Sequence, residues 1–177
     1  MKKYSQKIRK LFLEDQKDRR KKGWLKLEDK KRWALISLRD KKRRKELEAI
    51  LKKKPEINGT DYFNAGIIFQ HGTSRTAIKE AREMALMGME KGHKKSAWLY
   101  AAATDRLLVM KNKPQKFGTQ FRKNKNGGWE LFPILSRTTD AERKKYGIRT
   151  LQNLKKVVLN LNRSGTALRK KISVSSQ

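Results

Sequence analysis

Residues 75–110 read RTAIKEAREMALMGMEKGHKKSAWLYAAATDRLLVM, and this stretch decides the fold class. Ile78, Ala81, Met84 and Ala85 fall at helical spacing, so residues 75–91 form a helix with these side chains facing inward. His71-Gly72-Thr73-Ser74 in front of it reads as a break with a fresh N-cap. Gly92 ends the helix, and a second one over about 94–110 brings Trp98, Ala101 and Leu108. Two helices joined by so short a connection lie antiparallel, and their alanines let the seam close tightly.

Working outward, residues 3–22 carry Tyr4, Ile8, Leu11, Phe12 and Asp15 at helical steps, with Gly23 closing the helix. A second helix over roughly 27–53 bears Trp33, Ile36, Leu47, Ile50 and Leu51 and stops before Pro55, although its middle is very polar. A short helix runs from Gly59 to about Gln70. Beyond Pro114 the texture changes. Phe117 to Phe121, a Lys-Asn-Gly-Gly turn and Trp129 to Ile134 predict a β-hairpin. Thr138 or Thr139 caps a last helix over 140–160, containing Tyr146, Leu151, Leu154 and Val158. The expectation is a mainly α protein: a single helical domain over 1–162 with an αα-hairpin core, one small β-hairpin near 117–134, and a flexible basic tail over 163–177.

The bulk composition narrows the function. The chain has 177 residues, 36% of them hydrophobic and 36% charged, so a core forms only if part of the chain stays outside it. It has no cysteine, which excludes disulfides, thiolate metal sites and a Cys nucleophile. Its apolar runs, such as Trp98 to Ala103 and Ala65 to Phe69, are far too short for a membrane span. No secretion signal is visible at the basic N-terminus, so a cytoplasmic location is expected.

The net charge of +30 is unevenly spread. Residues 1–55 carry +15, residues 56–110 only +1, and residues 111–177 carry +14. A basic run is often no more than a solvated face or compositional drift. Here the runs are dense and lack interspersed acids. They comprise Lys41, Lys42, Arg43, Arg44 and Lys45, then Lys52, Lys53 and Lys54. Arg122, Lys123 and Lys125 lie beside Phe121 and Trp129 on the hairpin, a pattern suited to phosphate contact and base stacking. Arg169, Lys170 and Lys171 add charge in the tail. The partner so implied is nucleic acid, RNA or DNA. No zinc finger, aromatic RNP octamer or GXXG loop accompanies the charge, so no base-specific reader is expected.

Polar residues interrupt the apolar stripes. Trp98, Ala101, Asp105 and Leu108 follow one face; Ile8, Phe12, Asp15 and Arg19 follow another; Asn64, Ile67 and His71 a third. Charges aimed at an interior must be paired. One reading is a satisfied structural network, with Asp15 pairing Arg19 one turn away. The other is a polar pocket with His71 as acid/base and a carboxylate orienting it. No HExxH or close His pair supports a metal site, Gly72-Thr73-Ser74 lacks the Gly spacing and Lys of a P-loop, and no cofactor motif is present. His93, after a glycine at a helix start, is expected to be exposed.

The order Asp15-Gln16, Arg19, Asp40, Gln70-His71, Thr104-Asp105-Arg106, the Lys113–Gln120 segment with Pro-Gln-x-Phe-Gly-Thr-Gln, and Arg143 with Gly147 resembles bacterial domain-of-unknown-function family 6624 over about residues 15–155. The Pro-Gln-x-Phe-Gly-Thr-Gln block is its most specific part. Phe117 stands where Tyr is usual, and the Gly-Trp-Pro that often precedes the Gln-His helix is missing. The family has no assigned activity. The resemblance therefore implies a unit, with Asp15, Arg19, His71, Asp105, Arg106 and Gln120 matching its signature. Its members are not unusually basic, which makes the charge an addition to the shared core.

Three functions compete. The favoured one is a nucleic-acid-associated protein gripping phosphate backbones with little sequence preference. The rivals are an enzyme, such as a hydrolase, working in a pocket around His71 and Asp105, and a non-catalytic basic scaffold or ribosome-associated protein.

Overall fold

The computed structural model describes residues 2–20 and 30–174, with side chains over 2–19 and 31–164. Gly23 lies outside the described residues. Among those residues the chain forms seven helices and one two-stranded sheet, which is the mainly α architecture with a single hairpin that the periodicity predicts. No helix among the described residues is long and apolar enough to cross a membrane. The chain divides into two compact units, residues 1–103 and 104–177, where its pattern reads as one domain to 162.

In the first unit, α1 (Lys2–Arg20), α2 (Lys30–Leu51), α3 (Gly59–Gln70) and α4 (Arg75–Glu90) precede α5 (Ser96–Val109), within which the boundary falls. Helix α3 starts where Asn58 and Asp61 close a capping box, each accepting the other's backbone N–H. Ser74 accepts from the Ala77 N–H to start α4. The core is built from Ile8 and Leu11 of α1, Ile36, Leu47 and Ile50 of α2, Ile68 and Phe69 of α3, Ile78, Ala81 and Ala85 of α4, and Leu99. The most extensive helix pair is α3 with α4. Gly66 makes that closeness possible, because a Cβ there would stand 2.7 Å from Leu99 Cδ2 and 3.2 Å from Met84 Cβ.

Two tryptophans expected inside are not. Trp33 is 45% exposed and Trp98 is 44% exposed. Up to residue 103 the buried positions of α5 are Ser96, Leu99, Ala101, Ala102 and Ala103, a face made mostly of small side chains with Trp98 outside it.

The second unit holds the hairpin, α6 (Asp140–Lys145) and α7 (Leu151–Val174). Strands β1 (Phe121–Lys123) and β2 (Trp129–Leu131) pair antiparallel, Arg122 opposite Glu130. They are shorter than the pattern suggests, because residues 115–120 are committed elsewhere. Asn162 of α7 clamps β2, accepting from the Trp129 N–H and donating to its carbonyl. The expected 140–160 helix is cut in two. Gly147 takes a left-handed turn (φ 68°), its N–H and that of Ile148 reach back to Lys144 and Arg143, and α6 ends there. Asp140 then accepts from the Leu151 N–H at the start of α7. Helix α7 stays helical to Val174, through the segment read as a tail.

Candidate functional site

The first unit has a charged seam between α1 and α2. On α2 the buried positions are Ile36, Asp40, Arg43, Leu47 and Ile50, at steps of four, three, four and three. An acid and a base thus sit in the middle of an otherwise apolar stripe. They meet Asp15, Asp18 and Arg19 of α1. Arg19 donates to both oxygens of Asp40, at 3.2 and 2.5 Å, and to Asp15 Oδ1 at 2.5 Å. Arg43 donates to Asp40 Oδ1 at 2.6 Å and to Asp18 Oδ2 at 2.8 Å. Arg39 takes the other Asp18 oxygen at 2.8 Å. Three carboxylates face three guanidiniums, so the seam is neutral and largely self-satisfied, as a buried ion network must be.

The titration behaviour follows the geometry. Burial pushes the Asp18 carboxyl up, but the hydrogen bonds from Arg43 and Arg39 outweigh it and hold the group below its ordinary range. Burial likewise pulls the Arg43 guanidinium down, while Asp40 and Asp18 raise it above its usual value.

His71, at the C-terminal cap of α3, joins this seam: its Nδ1 lies 3.0 Å from Asp15 Oδ1. Its side chain is 27% exposed. The carboxylate orients the ring and leaves part of the imidazole facing solvent, an arrangement that suits a general acid or base. Gln16 donates to the other Asp15 oxygen.

Asp105, in the second unit, is fully buried and sits at the centre of a different device. Its Oδ1 accepts from the backbone N–H groups of Lys116 (2.7 Å) and Phe117 (2.8 Å). Its Oδ2 accepts from those of Gly118 and Thr119 and from the Thr119 hydroxyl, each at 2.9 Å. Four successive amides wrap one carboxylate, which is an anion nest with the anion supplied by the protein itself. Gln115, also fully buried, closes the same loop by donating to the carbonyls of Gln120 and Phe132 and accepting the Gln120 N–H. Arg143 donates to the carbonyls of Phe117 and Thr138. Phe117 packs on Tyr146, ring centres 4.7 Å apart. Gly118 has φ 95°, and a Cβ there would stand 2.6 Å from Leu154 Cδ1. The Pro-Gln-x-Phe-Gly-Thr-Gln block is therefore a clamped structural loop.

The six residues read as a pocket thus fall into two groups. Asp15, Arg19 and His71 are bonded together in the first unit. Asp105 and Gln120 belong to the second, where Gln120 donates to the Thr119 hydroxyl that in turn donates to Asp105. Arg106, partly buried on α5, has its pKa lowered by burial. Asp105 is satisfied by backbone amides of a loop. Spacing cannot reveal that, because the amides lie eleven to fourteen residues further along. Asp40 and Arg43 do not stand out as buried partners by hydrophobicity, though their place in the four-three repeat of α2 is the signal that finds them. His93 is half-buried, 4.6 Å from the Phe63 ring and 3.0 Å from the Ser96 hydroxyl, rather than exposed. Burial and the nearby Lys95 charge both lower its pKa.

The basic runs sort by burial as well. Lys41, Lys42, Lys45, Lys52, Lys53 and Lys54 are exposed. Arg43 is 5% exposed and committed to Asp40 and Asp18, so it leaves the phosphate-contact set. Arg44 is half-buried, with Nη1 enclosed. On the hairpin Arg122 pairs with Glu130 at 2.6 Å, Lys123 stands 5.7 Å from the Trp129 ring, and Lys125 is exposed. The side chains of Arg169, Lys170 and Lys171 lie outside the described ones. Six charged side chains are buried among the described residues: Asp15, Asp40, Asp61, Asp105, Arg43 and Arg143. Four acids against two bases leave +32 of a net +30 on the rest of the chain. Folding thus withdraws acids more than bases.

Comparison of the chain with protein-family models, curated proteins and solved structures finds no match.

Proposed function

We propose that this is a cytoplasmic nucleic-acid-associated protein that grips phosphate backbones with little sequence preference. The observation that carries the reading is the partition of charge. The buried carboxylates are used up inside, while Lys41, Lys42, Lys45 and Lys52 to Lys54 stay exposed. Excess charge of this kind opposes compaction unless a polyanion screens it, and releasing the polyanion's counterions drives binding. Lysine ammoniums are point charges on flexible stems, which suits phosphate contact in any register. The second unit adds Lys123 and Lys125 beside Trp129. The signature residues that resemble family 6624 are bonded within one unit or the other, Asp15, Arg19 and His71 in the first and Asp105 and Gln120 in the second, and the charge is proposed as this chain's addition to them.

The test is a titration of labelled duplex at several salt concentrations. The affinity is expected to fall with salt by a logarithmic slope of about −0.9 per phosphate contact. Absence of any complex at low salt contradicts the proposal.

One observation favours a second reading, an enzyme such as a hydrolase. His71 is oriented by Asp15 and remains part-exposed. Arg19 bonds the same carboxylate oxygen, however, and so ties Asp15 into the seam. The structural role of Asp15 in the seam therefore outweighs it.

A further inference from the structure

We propose that the outer side of α1 is a track for a single strand of nucleic acid, with one unstacked base seated against Asn64; this rests on the polyanion reading above. Lys2, Gln6, Arg9 and Leu13 stand at steps of four, three and four and share one side of α1. That side lines a hollow of about 660 Å³ against residues 56–64, a size typical of small-molecule sites. Phe12, Leu13 and Ile57 give it a largely apolar lining.

Asn64 lines the same hollow and is 6% exposed. Its side-chain amide has no hydrogen-bond partner among the described residues, whereas the neighbouring Asp61 carboxylate accepts from Ser5 and the Asn58 backbone. The residue is buried, but its amide opens into the hollow, so its donor and acceptor are available to a ligand seated there. The amide offers a donor and an acceptor side by side, which matches the paired groups on a nucleobase edge such as that of adenine. Phe12 supplies a ring on which a base can stack. A paired base has its Watson–Crick edge occupied and its faces stacked, so the occupant is single-stranded.

The hollow does not end there. A second one, of about 310 Å³, shares Gln6, Arg9 and Leu13 with the first. A third, of about 640 Å³, shares Lys10, Glu14 and Lys17 with the second and reaches Arg39 and Lys42 of α2. The three share residues along α1, and Lys2, Arg9, Lys10, Lys17 and Lys42 line them. Of the acids on this path, Asp18 is held by Arg39 and Arg43 and Asp61 by Ser5; Glu14, Glu46 and Glu56 are the remaining negative charges.

Fluorescence anisotropy with a short labelled oligodeoxyadenylate and a labelled duplex tests the assignment. Asn64→Leu removes the amide and keeps a side chain of similar size, so the variant should fold with a melting temperature near that of the wild type. It should lose about tenfold in affinity for the strand, the scale of one base contact, and keep its duplex affinity. Should Asn64→Leu not fold, Phe12→Leu carries the same expectation. Strand affinity unchanged in the folded variant overturns the track while leaving the polyanion reading intact. Wild-type protein that binds neither probe at low salt overturns both.

Discussion

Asp105 accepts hydrogen bonds from four consecutive backbone amides, and no neutral side chain can copy that. In Asp105→Asn one oxygen becomes an NH2 that meets two N–H groups head-on. The change should destabilise the fold by about 3–5 kcal/mol, the cost of stranding buried donors and removing a buried charge. Denaturant unfolding of parent and variant measures it, and equal stability would show that the carboxylate is not the loop's anchor. The stripe through Ala101 places Asp105 inside correctly, but it also places Trp98 inside, and Trp98 is 44% exposed. Periodicity locates a face to within about one residue, and a large side chain at the edge of that face can go either way. His93 gives a pH-dependent prediction. Its pKa is lowered in the fold, so its contribution to stability is full above the unfolded value of about 6.5 and is lost as pH falls below it. The denaturation midpoint of wild type should drop between pH 7.5 and pH 5 more than that of His93→Gln. Parallel pH profiles would show that His93 plays no part in the acid sensitivity.

At the scale of elements, α2 shows what periodicity can and cannot tell. Its middle reads as very polar, yet Asp40 and Arg43 occupy core positions in an unbroken four-three repeat. Hydrophobicity alone hides them, because their partners Arg19, Asp15 and Asp18 belong to another helix. Asp40→Leu alone leaves Arg43 only Asp18 and Arg19 only Asp15, with one end of each buried guanidinium uncompensated, and should cost about 3–5 kcal/mol. Asp40→Leu with Arg43→Met leaves the Asp15–Arg19 and Asp18–Arg39 pairs intact and should recover most of that loss. A double-mutant cycle by urea unfolding supplies the coupling energy; additive losses would mean the seam is not a network. The break at Gly147 is equally hard to read, since Tyr146, Leu151, Leu154 and Val158 keep a helical pattern across it. Only the left-handed turn and the Asp140 bond to Leu151 end one helix and begin the next.

On the scale of the whole molecule, charge is the most legible property and burial the least. The composition leads to the expectation of a polyanion partner, but it counts Arg43 among the outward cations when that residue is 5% exposed. What distinguishes the surface from the bulk figure is the withdrawal of Asp15, Asp40, Asp61 and Asp105 into the two units. The central claim is that the exposed lysines of α2 touch phosphates directly. The salt dependence of duplex binding by wild type and by a Lys41→Ala, Lys42→Ala, Lys45→Ala variant tests it most directly. Removing these three ammoniums should make the logarithmic salt slope shallower by about 2 to 3. An unchanged slope in a folded variant would contradict the claim.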